Sequence, residues 1–171
     1  MDRDRSITAT EQAAIKRVHA LGIDTRSMSA ISNVFRVANS LRNYSEQHLL
    51  KEFGLSFSGF TVLWVLWVWG PKESHSLAAE SGIAKSTLTG VMNTLQSLGF
   101  ASKMMHPRDR RRVVVAITSS GTRIMKKIFP RFNQIEVNAT ADLTKGEKTD
   151  LAHALRVILH TVERQVSDSD P

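Results

Sequence analysis

The run His106-Pro-Arg-Asp-Arg-Arg-Arg, followed at once by Val113-Val-Val-Ala-Ile-Thr118, sets the tightest limit on how this chain can fold. Arg108, Arg110, Arg111 and Arg112 crowd around one carboxylate, Asp109, in a turn opened by Pro107. Burying such a tip would strip several cations of water without giving them partners, so it must face solvent or an anion. The flanks are β-prone. Strands at Ala101–His106 and Val113–Thr118 would make a β-hairpin with a cationic tip. From Lys103 to Arg112 five Lys or Arg oppose one Asp, so more than half of the formal net charge of +7 falls in this short stretch.

A length of 171 residues suffices for one domain with a real core, or for a small module with an oligomerisation element. The basic balance favours a polyanionic partner. The chain has no cysteine, which excludes disulfides, thiolate metal sites and thiol redox sensing. No signal peptide is visible behind the charged start Met1-Asp-Arg-Asp-Arg. The longest apolar run, Val62–Trp69, is far shorter than the ~20 residues that span a bilayer. A soluble cytoplasmic protein without a membrane partner is the expectation.

Periodicity predicts a mainly helical chain. A short helix over Glu11–Leu21 stops at Gly22, and a longer pattern over Met28–Phe53 carries Ile31, Val34, Phe35, Ala38 and Leu41 before Gly54. Ser56–Trp69 has strand propensity, but it has no evident sheet partner. A helix apolar on nearly every side, capped by Ser56 or Ser58, is the better reading. Pro71–Ser74 reads as a loop. Ser74 or Ser76 then caps a short helix, Leu77–Ser81, and Gly82 makes a turn. The next helix puts Leu88, Val91, Met92, Leu95 and Leu98 on one side. Ser86, Gly90, Asn93 and Ser97 fall opposite, with Thr89 on the flank and Lys85 at the start. Beyond the hairpin, Ser119–Thr140 is helical, interrupted or kinked near Pro130, and Lys145–Val166 is a last amphipathic helix. Thr144 and Glu147 have capping-box spacing before it.

Helix, turn, helix and basic hairpin in that order describe a winged helix-turn-helix, the fold expected for residues 56–118. Residues 1–27 form an N-terminal extension with a short helix. The amphipathic stripes of 28–55 and 119–166 exceed what so small a module can cover, and a second copy is their simplest cover, so a two-fold homodimer is expected. In this setting the tip arginines become candidates for DNA phosphates and a minor groove, with Asp109 orienting one guanidinium.

Several segments together resemble the MarR family of bacterial winged-helix regulators. They are Leu77-Ala-Ala-Glu-Ser-Gly-Ile, Ala84-Lys-Ser-Thr-Leu-Thr-Gly, Leu98-Gly-Phe, Asp109-Arg-Arg and Ile117-Thr with Gly121. The resemblance spans Met28 to about Val166. It implies a homodimer through terminal helices, Ser86–Ser97 in a major groove and Arg111 in a minor groove, with Asp109 as the matching wing acid. Two departures stand out. Gly90 replaces a residue that is basic in many members, and Asn93-Thr-Leu-Gln replaces a common Asp-Arg-Leu-Glu. Contact with phosphates therefore shifts to Arg108, Arg110, Arg111, Arg112 and Lys85. Base preference falls to Ser86, Thr87, Thr89 and Asn93, with Gly90 allowing close approach.

The expected function is a sequence-specific regulator, usually a repressor, on a pseudo-palindromic duplex. The alternative is a winged-helix protein-interaction module that no longer reads DNA, motivated by the uncharged recognition face. The family resemblance further implies small phenolic or anionic aromatic ligands. Arg42, Tyr44 and His48 are the polar candidates, and Trp64 and Trp67 the aromatic ones, although core packing explains the tryptophans as well. His19, His48, His75, His106, His153 and His160 show no metal-ligand spacing, and no nucleophile elbow, phosphate loop or dinucleotide turn is present. Neither a metal, a cofactor nor an enzyme is expected.

Overall fold

The computed structural model describes residues 8–106 and 109–168, and the side chains of residues 106, 109–112 and 167 lie outside the description. The chain divides into two compact units, Met1–Phe60 and Thr61–Pro171.

In the first unit α1 (Ala9–Val18) is capped by Thr8, whose hydroxyl accepts from the Glu11 amide, and a short 3-10 turn, His19–Leu21, carries it into Gly22. Gly22 adopts φ +65°, the left-handed stop that a glycine accepts at no steric cost. Asp24 caps α2 (Thr25–His48). The pattern read as one helix to Phe53 is in fact α2 plus a separate 3-10 turn, Leu50–Phe53. The break falls at Leu49, whose backbone (φ −139°, ψ −60°) is not helical, and it turns Leu49 and Leu50 fully inward. Such a change of direction is set by burial, which local periodicity does not report.

α3 (Phe57–Trp69) is a helix, as its flanks suggested against its β propensity, and Val62, Leu63, Val65 and Leu66 are all buried. Burial of Val62 and Val65 on the broad inward face explains how β-branched residues are held in a helix, whereas Val68 and Trp69 at its C-terminal end are exposed, so the helix is not covered all round.

The second unit holds a three-stranded antiparallel sheet ordered β1-β3-β2, built from β1 (Lys72–Glu73), β2 (Ala101–His106) and β3 (Asp109–Ile117). Residues 71–74 are thus not simply a loop. Lys72 and Glu73 pair with Val115 and Val114, a tertiary contact with no local sequence signal. β3 also begins earlier than the Val113 expected, at Asp109, because pairing with β2 continues through Met105↔Val113 and, past a register shift, His106↔Asp109.

α4 (Ser74–Glu80) starts one residue after β1, with Glu73 at the cap and no side-chain capping bond, so neither Ser74 nor Ser76 caps it. Gly82 (φ +63°) makes the turn, and the Ile83 amide donates to the Ala78 carbonyl at 3.1 Å. α5 (Lys85–Ser97) follows, burying Leu88, Met92 and Leu95. α6 (Ser119–Ala139) runs through Pro130 without interruption. α7 (Lys145–Ser167) opens on the expected capping box, with the Glu147 amide donating to Thr144 Oγ1 at 3.2 Å and the Thr144 amide to Glu147 Oε2 at 2.8 Å.

Candidate nucleic-acid interface

Three buried leucine and methionine side chains fix the orientation of α5. With Leu88, Met92 and Leu95 inward, Lys85, Ser86, Thr87, Thr89, Gly90 and Asn93 are all exposed. At ~100° per residue, Ser86, Gly90, Asn93 and Ser97 share one narrow face, Thr89 borders it, and Thr87 and Lys85 lie further round on either side. Among the described residues, the side chains of Ser86, Thr87, Thr89 and Asn93 make no hydrogen bond, so their donors and acceptors are open to a ligand. Ser97 is different, since its hydroxyl already donates to the Thr94 carbonyl at 2.8 Å. A Cβ built on Gly90 meets nothing within 4 Å, so no internal contact demands a glycine there.

β2 and β3 carry the wing directly behind α5. The end of α5 is tied to the root of the wing: the Thr118 amide donates to the Phe100 carbonyl at 2.9 Å and the Thr118 hydroxyl to the Gly99 carbonyl at 2.7 Å. The backbone of Asp109, Arg110, Arg111 and Arg112 lies in β3, while their side chains, like the whole of Arg108, lie outside the described residues.

The MarR family model matches residues 55–113, which run from the residues before α3 to the wing. The HTH-type transcriptional regulator YwaE of Bacillus subtilis is 34% identical over 157 residues, covering 88% of this chain and 92% of that protein. The chain belongs to the MarR family. It is therefore a transcriptional regulator of that type rather than an enzyme. This MarR-family chain is also 26% identical to the HTH-type transcriptional repressor YetL of Bacillus subtilis, over 75% of this chain and 77% of that one. Among solved structures, Bordetella bronchiseptica BpsR, whose DNA binding is regulated by 6-hydroxynicotinic acid, superposes with a TM-score of 0.70. That match, at 22% identity, covers 76% of this chain and 98% of BpsR, and it shows the shared fold.

The five residues considered for an effector separate into two groups in this MarR-family protein. Tyr44 and His48 lie one turn apart on α2 with ring centroids 4.4 Å apart. Arg42 points to the other side of that helix, about 200° of rotation before Tyr44, and its guanidinium sits 5.4 Å over the Phe57 ring. Trp64 and Trp67 belong to the second unit. Trp64 stacks on Phe129 of α6 at 4.5 Å and 17°, and Trp67 meets the same ring at 5.7 Å. One face of Trp64 is thus already filled by protein. Phe129 is the partner that sequence reading missed, although its place one residue after the buried Ile128 marks it as near the core face. Among the described residues no three His, Asp or Glu side chains cluster as a metal site would need, and no helix is long and apolar enough to cross a membrane.

Proposed function

We propose that the protein acts as a homodimeric repressor on a pseudo-palindromic duplex, with residues 56–118 as its DNA-binding region and residues 28–55 and 119–166 as its dimerisation region. The carrying observation is the exposed, uncharged face of α5, on which the side chains of Ser86, Thr87, Thr89 and Asn93 make no hydrogen bond, tied at its end to the root of a cationic wing. α5 enters a major groove, where Ser86, Thr87, Thr89 and Asn93 meet base edges at a distance shortened by Gly90. Lys85, Arg108, Arg110 and Arg112 contact phosphates, and Arg111 enters the flanking minor groove with Asp109 bracing it. Repression is supported by the likeness to YetL.

Dimerisation is supported by apolar surface left uncovered. In α2, Ile31, Val34, Phe35 and Val37 are exposed, and in α7 so are Leu155, Leu159, Val162 and Val166. Helices with such stripes in a single chain are covered most simply by a second copy. A two-fold dimer would set its two α5 helices about one helical turn, ~34 Å, apart.

Selection of bound sequences from random duplex DNA, followed by a salt series on the winner, tests the reading. If the dimer neutralises ~6–10 phosphates, affinity falls by ~10³–10⁵ between 50 and 200 mM salt. Arg111→Ala should weaken duplex binding and leave the dimer intact. A protein-interaction module would instead enrich no sequence and show a salt slope near zero.

A small planar anion is the effector class we propose, supported by the exposed Tyr44–His48 ring pair on α2 and by the ligand-regulated relative BpsR. A thermal-shift screen of phenols and aromatic acids tests it, with the Tyr44→Ala variant expected to lose any shift.

A further inference from the structure

The chain has no cysteine, so any oxidation of sulfur must fall on methionine. The methionines are not equally placed. Met92 and Met125 are fully buried, and Met28 is half-buried. Met104 and Met105 are 52% and 67% exposed and adjacent in β2. Both residues, with Val114, Lys72, Glu73 and Glu80, contribute to the lining of a cleft of about 520 Å³, in which Lys72 Nζ lies 2.9 Å from Glu80 Oε1.

Their position in the sheet gives this exposure a consequence. β1 supports the hairpin only at Val114 and Val115. Beyond that point the wing is two-stranded, and the pair Met105↔Val113 is the last before the register shift that leads into the arginine tip. Cross-strand apolar pairs of this kind hold a two-stranded ribbon in register. A sulfoxide placed there is polar and draws water into the pair.

We propose that Met104 and Met105 are an oxidation site at the root of the wing, where a two-electron oxidant such as hypochlorous acid loosens the wing and lowers its grip on DNA. In the step each thioether sulfur loses two electrons and gains an S–O bond. The O–Cl bond breaks, chlorine leaves as chloride, and the proton passes to water. A thiol-dependent sulfoxide reductase reverses it, two thiols becoming a disulfide as the oxygen leaves as water. The DNA consequence rests on the regulator reading above, whereas the site and the loosening do not.

The full chain and its Met104→Leu/Met105→Leu variant are compared, each before and after stoichiometric hypochlorite. Three quantities are read: the oxygen carried by the tryptic fragment Met104–Arg108, the rate of trypsin nicking within residues 108–112, and affinity for a random-sequence duplex at low salt. The expected result is oxygen on that fragment ahead of those holding Met92 and Met125, with faster nicking. Duplex affinity should fall about tenfold in the full chain and stay nearly constant in the leucine variant. Oxygen spread evenly over all methionines, unchanged nicking, or equal losses in both proteins would overturn the proposal. If the untreated protein retains no duplex at all, the regulator reading fails instead, and oxygen placement and nicking still decide this one.

Discussion

Gly121 lies directly against the carbonyl oxygen of Phe100, so close that a Cβ on residue 121 would collide with that oxygen and also fall 2.7 Å from Ile117 Cγ1. The carbonyl cannot swing aside cheaply, because it accepts the Thr118 amide at 2.9 Å, and the Phe100 amide is itself held by Leu95. Gly121 thus lets the first turn of α6 press onto the junction between α5 and the wing. Alanine there gains up to about 1 kcal/mol of helix propensity, whereas overpacking against fixed backbone costs about 1–3 kcal/mol. Gly121→Ala is therefore expected to destabilise the fold, read as a lower urea midpoint at unchanged slope.

That junction shows what local sequence could and could not convey. Gly121 was visible as part of a motif, but its reason is a carbonyl more than a turn of sequence away. The same division runs through the fold. α5, β2 and the Thr144–Glu147 capping box follow from spacing and cap chemistry, which act within a few residues, and they lie where the sequence put them. β1 consists of two residues whose only reason to be extended is the distant pair Val114–Val115, and the stacking of Phe129 on Trp64 depends on the packing of two helices. The exposure of the α5 candidates was legible because three buried side chains fix the opposite face. For the effector candidates, the split between Arg42 and Tyr44 follows from their two-residue spacing, whereas the Phe57 ring under Arg42 and the Phe129 ring on Trp64 depend on packing that spacing does not report.

The stacked pair Trp64–Phe129 offers a separate test of whether this aromatic cluster is core. Phe129 is half-buried and touches both Trp64 and Trp67. Phe129→Ala is expected to cost about 2 kcal/mol, less than the ~3–5 kcal/mol of a fully buried ring. Tryptophan emission should shift to the red as water reaches Trp64. A variant that keeps full stability would show that the cluster is not structural and is free to serve a ligand.

Asp24 makes a pH-dependent contribution to the start of α2. Its carboxylate accepts the Ser27 hydroxyl at 2.6 Å and the amides of Ser27 and Arg26, and these bonds hold its pKa below the ordinary value of 3.8, the hydroxyl contributing most. A carboxyl whose pKa is depressed in the folded state stabilises it above the unfolded value. That stabilisation is lost as pH falls from 3.8 through the lower folded value. An NMR titration of the Asp24 carboxyl carbon should give a midpoint below 3.8, and Ser27→Ala should move it back up. An unchanged midpoint in that variant would remove the hydroxyl from the account.

Gly90 makes the sharpest functional prediction, because stability and binding should move in opposite directions there. It sits mid-helix in α5 on the exposed face, and nothing within 4 Å of a built Cβ requires it to be glycine. Alanine should stabilise α5 by about 0.5–1 kcal/mol through the restricted unfolded chain and better helix propensity. On the DNA side the same methyl group holds α5 away from the groove. The short side chains of Ser86, Thr87, Thr89 and Asn93 have little reach to make up the distance. Gly90→Ala is thus expected to raise the melting temperature, lower affinity for the selected operator about tenfold, and leave the salt slope unchanged, since no phosphate contact is touched. If operator affinity rises with stability instead, the glycine is not there for close approach, and α5 does not meet the bases in the way proposed.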